Sequence, residues 1–194
     1  MRYLRLIPLS LLLLGCESKE TESDAVEPAA SEMFWASLQE LCGQAFEGTI
    51  VESVPADTSL TGKTLTMHVR SCEDAVIRIP FFVGDDRCRT WVISKTETGL
   101  RLKHDHRHED GSEDEVTQYG GDTNDPGTGT KQEFPADQFT AELLPVSATN
   151  IWTIEIVQNQ TFVYALRREG SERRFRAQFD LTNPVDEPLP PWGW

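Results

Sequence analysis

From residue 46 onward, hydrophobic and polar positions alternate through most of the chain with a period of two. That period marks strands with one buried face, because successive side chains point to opposite sides of a sheet. Candidate strands fall at 46–54, 63–71, 75–83, 89–96, 99–109, 113–119, 151–157, 161–168 and 173–181, with a weaker one at 139–144. Turn residues separate them, among them Pro55-Ala56-Asp57, Gly84-Asp85-Asp86, Asp110-Gly111, Gln158-Asn159 and Gly170-Ser171. The last three strands are the clearest. Trp152, Ile154 and Ile156 share a face of the first, Phe162, Tyr164 and Leu166 of the second, and Phe175, Ala177, Phe179 and Leu181 of the third. Thr153, Glu155, Arg167, Arg174, Arg176 and Gln178 take the opposite faces, the pattern of an antiparallel meander over one core.

Ahead of the strands the pattern is helical. Phe34, Leu38 and Leu41 predict a short helix over 32–42, with Ser31 as N-cap and Gly43 as its stop. Nine or ten strands at close spacing, with no helix-length pattern between them, exclude a parallel α/β sheet. The expected fold class is all-β: an antiparallel up-and-down β-barrel of about 8–10 strands behind a short helix, with a β-sandwich as the alternative. In architecture this resembles the lipocalin-like (calycin) barrels, which implies a packed or ligand-sized interior. The stretch from His104 to Thr123 resembles one in an uncharacterised family of bacterial secreted proteins, which implies no activity.

The two ends of the chain lie outside the alternating pattern. Arg2 and Arg5 precede an apolar run over 6–14 that leads into Leu13-Leu14-Gly15-Cys16. This resembles the signal peptide and lipobox of a bacterial lipoprotein precursor. The resemblance implies cleavage before Cys16, acylation of that cysteine and attachment to a membrane through the lipid. Glu17 stands where many lipoproteins retained at the inner membrane carry Asp, so the outer membrane is the expected address, on its periplasmic or surface face. The organisation is then a signal peptide (1–15), a lipidated cysteine with an acidic flexible spacer (16–31), the barrel (32–182) and a Pro/Trp-rich tail (183–194) ending in Trp192 and Trp194. A formal net charge of −14 argues against a nucleic-acid partner. An oxidising envelope allows one disulfide among Cys42, Cys72 and Cys88. Cys42 to Cys72 would staple the helix end to the second strand, and Cys72 to Cys88 is the alternative.

Candidate chemistry centres on Leu100 to His108. Leu100, Leu102, His104, His106 and His108 share one face, while Arg101, Lys103, Asp105 and Arg107 share the other. Asp110-Gly111 marks a hairpin with two open registers. A two-residue turn sets His108 opposite Glu113, His106 opposite Glu115 and His104 opposite Thr117. A three-residue loop with Gly111 left-handed sets His106 opposite Asp114 and His104 opposite Val116. Histidines two apart on a strand can share an ion; those four apart, roughly 13 Å, cannot readily do so. A metal or ligand site would therefore draw on His104 with His106, or His106 with His108, completed by Asp114, Glu115 or another strand, and zinc suits such donors. A satisfied polar ladder and a polar floor for an organic ligand are the competing readings.

His68 is a poor further ligand, because Leu65, Met67 and Val69 claim the core face of its strand. Asp122 to Glu133 has the outline of a calcium loop, but Pro126 occupies a ligand position. Arg167, Arg168, Arg173, Arg174 and Arg176 cluster at one hairpin, beside Glu169 and Glu172 that can compensate them. No nucleophile motif is present. The expected function is a non-enzymatic envelope barrel that binds a small molecule or partner, with a zinc-dependent hydrolase and a structural envelope lipoprotein as rivals.

Overall fold

The computed structural model describes residues 29–58, 60 and 62–194; the lipobox, Cys16 and most of the spacer lie outside the described residues. A helix, α1 (Ala30–Gln39), leads into β1 (Ala45–Val54), β2 (Leu65–His68), β3 (Ser71–Cys72), β4 (Val76–Val83), β5 (Asp86–Lys95) and β6 (Leu100–His106). There follow β7 (Tyr119–Asp122), β8 (Lys131–Pro135), α2 (Gln138–Leu143), a 3-10 turn (Pro145–Ser147), β9 (Asn150–Val157), β10 (Thr161–Arg168) and β11 (Arg174–Val185). All eleven strands form one antiparallel sheet in the order β7-β6-β5-β4-β2-β1-β11-β10-β9-β8, with β3 continuing β2 along β4. The sheet is a nearly closed up-and-down barrel, as the alternation predicts. The first and last strands pair, from Ala45 opposite Val185 to Val54 opposite Arg174.

What remains open is a seam between β7 and β8. Here the Asp137 N–H donates to the Gly120 carbonyl at 2.9 Å. The fully buried Thr140 hydroxyl accepts from the Gly120 N–H at 2.7 Å and donates to its carbonyl at 2.8 Å. Asp137 also caps α2, accepting from the Thr140 N–H at 2.8 Å, and pairs with Lys103 of β6. A Cβ on Gly121 would fall on the Pro135 carbonyl oxygen, so only glycine lets the two edges approach.

Three sequence expectations are corrected by this seam. Residues 113–119 are not a strand: Gly111 is left-handed and Arg107 bridges Glu113, as in the three-residue register, but that register lasts for one bridge. Asp114 then turns its side chain onto the Val116 N–H at 2.7 Å and Gln118 adopts φ +57°, so the chain bulges outward. His104 consequently faces Tyr119, where the hairpin registers put Thr117 or Val116. The Gly-rich stretch after Tyr119, which falls outside the candidate strands, contributes β7, and Lys131–Pro135 forms β8. The weak strand at 139–144 is instead the short helix α2, held by its Asp137 cap.

Helix α1 plugs one end of the barrel. Phe34, Trp35 and Leu38 are buried there, each contributing on the order of 1.5–3 kcal/mol. Its N-cap is Ala29, whose side chain offers no hydrogen bond; the expected cap, Ser31, lies inside the first turn, so packing rather than capping holds the helix. The Cys42–Cys72 disulfide ties its end to β3, and Cys88 is the free thiol. The C-terminal segment is docked rather than loose. Strand β11 runs to Val185, past the expected limit of 182. Glu187 then pairs with Arg70 at 2.6 Å, Trp192 N–H donates to Arg87 O at 3.1 Å, and Arg70 lies 5.3 Å from the Trp194 ring.

The seam makes a direct prediction. Gly121→Ala should destabilise the protein by about 1–3 kcal/mol, the cost of overpacking a tight contact. Urea unfolding measures it. A midpoint equal to wild type would mean that the edges tolerate a side chain and that glycine is not what closes the barrel.

Candidate functional site

The end opposite α1 is formed by the β1–β2 connection, the β4–β5 turn, the β6–β7 bulge, α2 with its 3-10 turn, and the β10–β11 turn. It opens into a cup of about 310 Å³. Below the cup the barrel is filled. Trp91 stacks on Tyr164 with ring centres 4.4 Å apart and on Phe81 at 4.8 Å, and Phe162 and Phe179 complete the floor. Aromatic pairs at such spacings are stabilised beyond their burial by roughly 0.5–1.5 kcal/mol each.

The cup's polar residues come from the ends of strands whose inward faces are otherwise apolar. Arg89 is two residues before Trp91 and pairs across strands with His106; Arg168 is two residues after Leu166 and pairs with Asn150; Arg173 is two residues before Phe175. Arg89 donates to Asp86 at 2.6 Å, and although burial works against its charge, that carboxylate holds its pKa above the ordinary value. Arg168 Nε donates to Asn150 Oδ1 at 2.8 Å, and Arg173 Nη1 donates to the Pro55 carbonyl at 3.4 Å. Asp57 lines the same cup. The cup thus gathers three guanidinium groups and one carboxylate within a protein whose net charge is −14.

His104 sits at the cup floor, 3% exposed. Its Nδ1 lies 3.0 Å from the Tyr119 carbonyl, which only accepts, so Nδ1 carries the proton. Nε2 is then the acceptor for the Tyr164 hydroxyl at 2.7 Å, a hydrogen bond spanning the barrel from β6 to β10. Burial drives its pKa down to about 3, leaving it neutral, and its ring stacks on Tyr119 at 4.5 Å. Burial also pushes the Tyr119 hydroxyl up to about 12 and the Tyr164 hydroxyl well above its usual value, so both remain protonated. His106 is half-buried, with Nε2 3.1 Å from the Tyr119 hydroxyl; burial first, and then Arg89, lower its pKa.

The residues predicted from the histidine strand therefore separate. His104 and His106 line the cup, with both nitrogens of His104 committed to protein partners. His108, beyond the end of β6, lies outside it at the tip of the bulge with Asp114 and Glu115, and one ligand atom from each of these three lies within 4.8 Å of the others. His108 Nε2 is 3.8 Å from Glu115, and Asp114 is engaged with the Val116 N–H. A cation at that exposed tip would thus draw on His108, Asp114 and Glu115, without His104 or His106. His68, as its parity requires, points away from the core, yet it is buried, and burial lowers its pKa. The calcium-like segment is built otherwise: Asp122 pairs with Arg101 at 2.6 Å, and Glu133 with Lys131 and Arg167.

Sequence reasoning missed the arginines of the cup, although the signal was present. The five-arginine cluster divides by parity. Arg167, Arg174 and Arg176 face outward and pair with Glu133, Glu52 and Glu155, whereas Arg168 and Arg173 follow the parity of Leu166 and Phe175 into the cup. Arg89 shares the parity of Trp91 in the same way.

Comparison with protein-family models, curated proteins and solved structures gives no match. The lipocalin-like resemblance accordingly rests on architecture alone.

Histidine burial makes stability depend on pH. His104 has a folded pKa of about 3 against an ordinary value of 6.5, so the unfolded chain takes up the proton first. The stability it allows is complete above pH 6.5 and is lost as pH falls toward 3, by about 1 kcal/mol per pH unit. In His104→Leu, the pH slope of unfolding free energy between pH 6 and 4 should be shallower by about one proton. An unchanged slope would show that His104 is not the group held neutral.

Proposed function

We propose that this chain is an envelope lipoprotein, anchored through Cys16, whose barrel binds a small molecule in the cup at its open end. The observation that carries this reading is the cup itself. A concave, partly aromatic site with a few convergent polar groups is the usual form of a small-ligand pocket, and about 310 Å³ falls within the usual range. Its polar groups are also preorganised. Arg168 is oriented by Asn150, and His104 by Tyr119 and Tyr164, so little side-chain freedom is left to lose on binding.

The rival readings have less support. A hydrolase using a metal on the cup's histidines would need His104 Nε2, which already accepts the Tyr164 proton across the barrel. Cys88 has its thiol raised to about 11 by burial, the reverse of what a nucleophile requires. A purely structural barrel accounts for charged side chains at its open end but does not require that they border a cavity of about 310 Å³. The lipid anchor rests on the lipobox ending in Cys16 and on the acidic spacer that follows it.

Two measurements test this reading. The full chain, extracted from envelopes in mild detergent, should carry acyl mass that Cys16→Ser abolishes; equal masses would remove the anchor. In native mass spectrometry it should also carry a small-molecule adduct that is lost from a Ser147→Trp/Leu166→Trp variant with the cup filled. A wild type without an adduct, even after exposure to the small-molecule fraction of the same cells, would argue for the structural alternative.

A further inference from the structure

The charge of the cup narrows its ligand class, given the reading above that the cup is a ligand site. Three arginines converge on it from separate strands or their ends: Arg89 from β5, Arg168 from β10 and Arg173 just before β11. Their neighbours on the outer faces are neutralised locally, Arg167 by Glu133 and Glu169, and Arg174 by Glu52 and Glu172. In the cup the compensation is sparser, with Asp57 the one carboxylate among the described lining residues against three arginines. Arg89 has Asp86, while the hydrogen bonds of the other two side chains go to neutral oxygens, Arg168 to the Asn150 amide and Arg173 to the Pro55 carbonyl. A guanidinium carries five donors in a planar fork that matches a carboxylate or other oxyanion. Half-buried guanidinium groups are also partly stripped of water, which strengthens their attraction for an anion.

The remaining wall chemistry favours a flat apolar body attached to that anionic group. Trp91, Trp152, Tyr119 and Phe175 line the same cavity as the arginines. His104 contributes an uncharged ring at the floor, stacked on Tyr119 and tilted against Trp152 at 5.1 Å. The cup therefore combines oxyanion donors with an aromatic wall.

We infer that the cup takes a small organic anion, an acid group joined to a planar apolar body, with Arg168 and Arg173 binding the acid and the aromatic wall packing on the body. A long neutral hydrocarbon would cover the guanidinium donors that Asn150 and the Pro55 carbonyl do not use and leave them unpaired, and a bare inorganic anion would leave the aromatic wall unused. Both are disfavoured for the same reason, that desolvated groups go unpaid in contacts.

The test uses two probes of nearly the same shape that differ in charge, 2-naphthoate and 2-naphthamide. Each is titrated calorimetrically at neutral pH into the full chain in nonionic detergent, against a detergent blank. Naphthoate should bind at least tenfold more tightly than naphthamide. In Arg168→Gln/Arg173→Gln the two affinities should come within about twofold, chiefly through weaker naphthoate binding. Arg168→Lys/Arg173→Lys, which keeps the charge but loses the fork, should retain part of the preference and serves if the Gln pair does not fold. Equal affinities in the wild type would overturn the anion assignment while leaving the cup a ligand site. A naphthoate preference undiminished in the Gln pair, or undiminished in the Lys pair where the Gln pair does not fold, would overturn the role of these arginines. Binding of neither probe at millimolar concentration would overturn the ligand class, leaving the adduct measurement to decide whether the cup holds anything.

Discussion

A sheet of this curvature must close, and the last gap in this barrel is closed by two adjacent glycines. Nine of its ten inter-stave contacts are ordinary antiparallel ladders; the tenth, between β7 and β8, depends on the close approach of Gly121 to Pro135, on the Asp137 N–H bond to the Gly120 carbonyl, and on one buried threonine that satisfies both polar groups of Gly120. An unpaired strand edge would otherwise expose donors and acceptors beside the core. The site inherits its geometry from this closure. Tyr119, whose carbonyl fixes the His104 tautomer and whose hydroxyl meets His106, is the residue immediately before the pair.

Closure also explains why a histidine is tolerated at the floor. A buried imidazole is costly unless both nitrogens are satisfied. His104 obtains one partner from the neighbouring strand and the other from across the barrel. The same ring then divides the interior: below it aromatic side chains fill the space, and above it arginines and an asparagine border a hollow. Burial keeps the divider uncharged, so it contributes shape and stacking surface without adding to the positive charge above.

Much of the architecture was legible because strand parity is a strict code. Strand alternation, the helical spacing of Phe34, Leu38 and Leu41, and the reach of Cys42 to Cys72 all follow from local geometry. The elements that were misread are those in which long-range contacts override local pattern. Residues 113–118 alternate like a strand but bulge, because Gly120 and Gly121 must sit in the ladder, so the surplus residues are displaced outward. Residues 139–144 look weakly extended but coil, because Asp137 caps them at the seam. For the site, parity located His104 and His106 correctly on the core side but could not show that they part company with His108, which lies past the last paired residue. The cup arginines were hidden by being read as a cluster along the chain, when the two faces of the strands send them to different surroundings.

Among the described residues, helix α1 stops one end of the barrel and the cup opens at the other. A cup closed at its base is entered and left by one route, so for the ligand proposed above occupancy would be governed by residence rather than by flow, and a second molecule would wait on the departure of the first. The described chain begins at Ala29, on the stoppered end. The chain preceding Ala29 therefore joins the barrel at the end away from the cup.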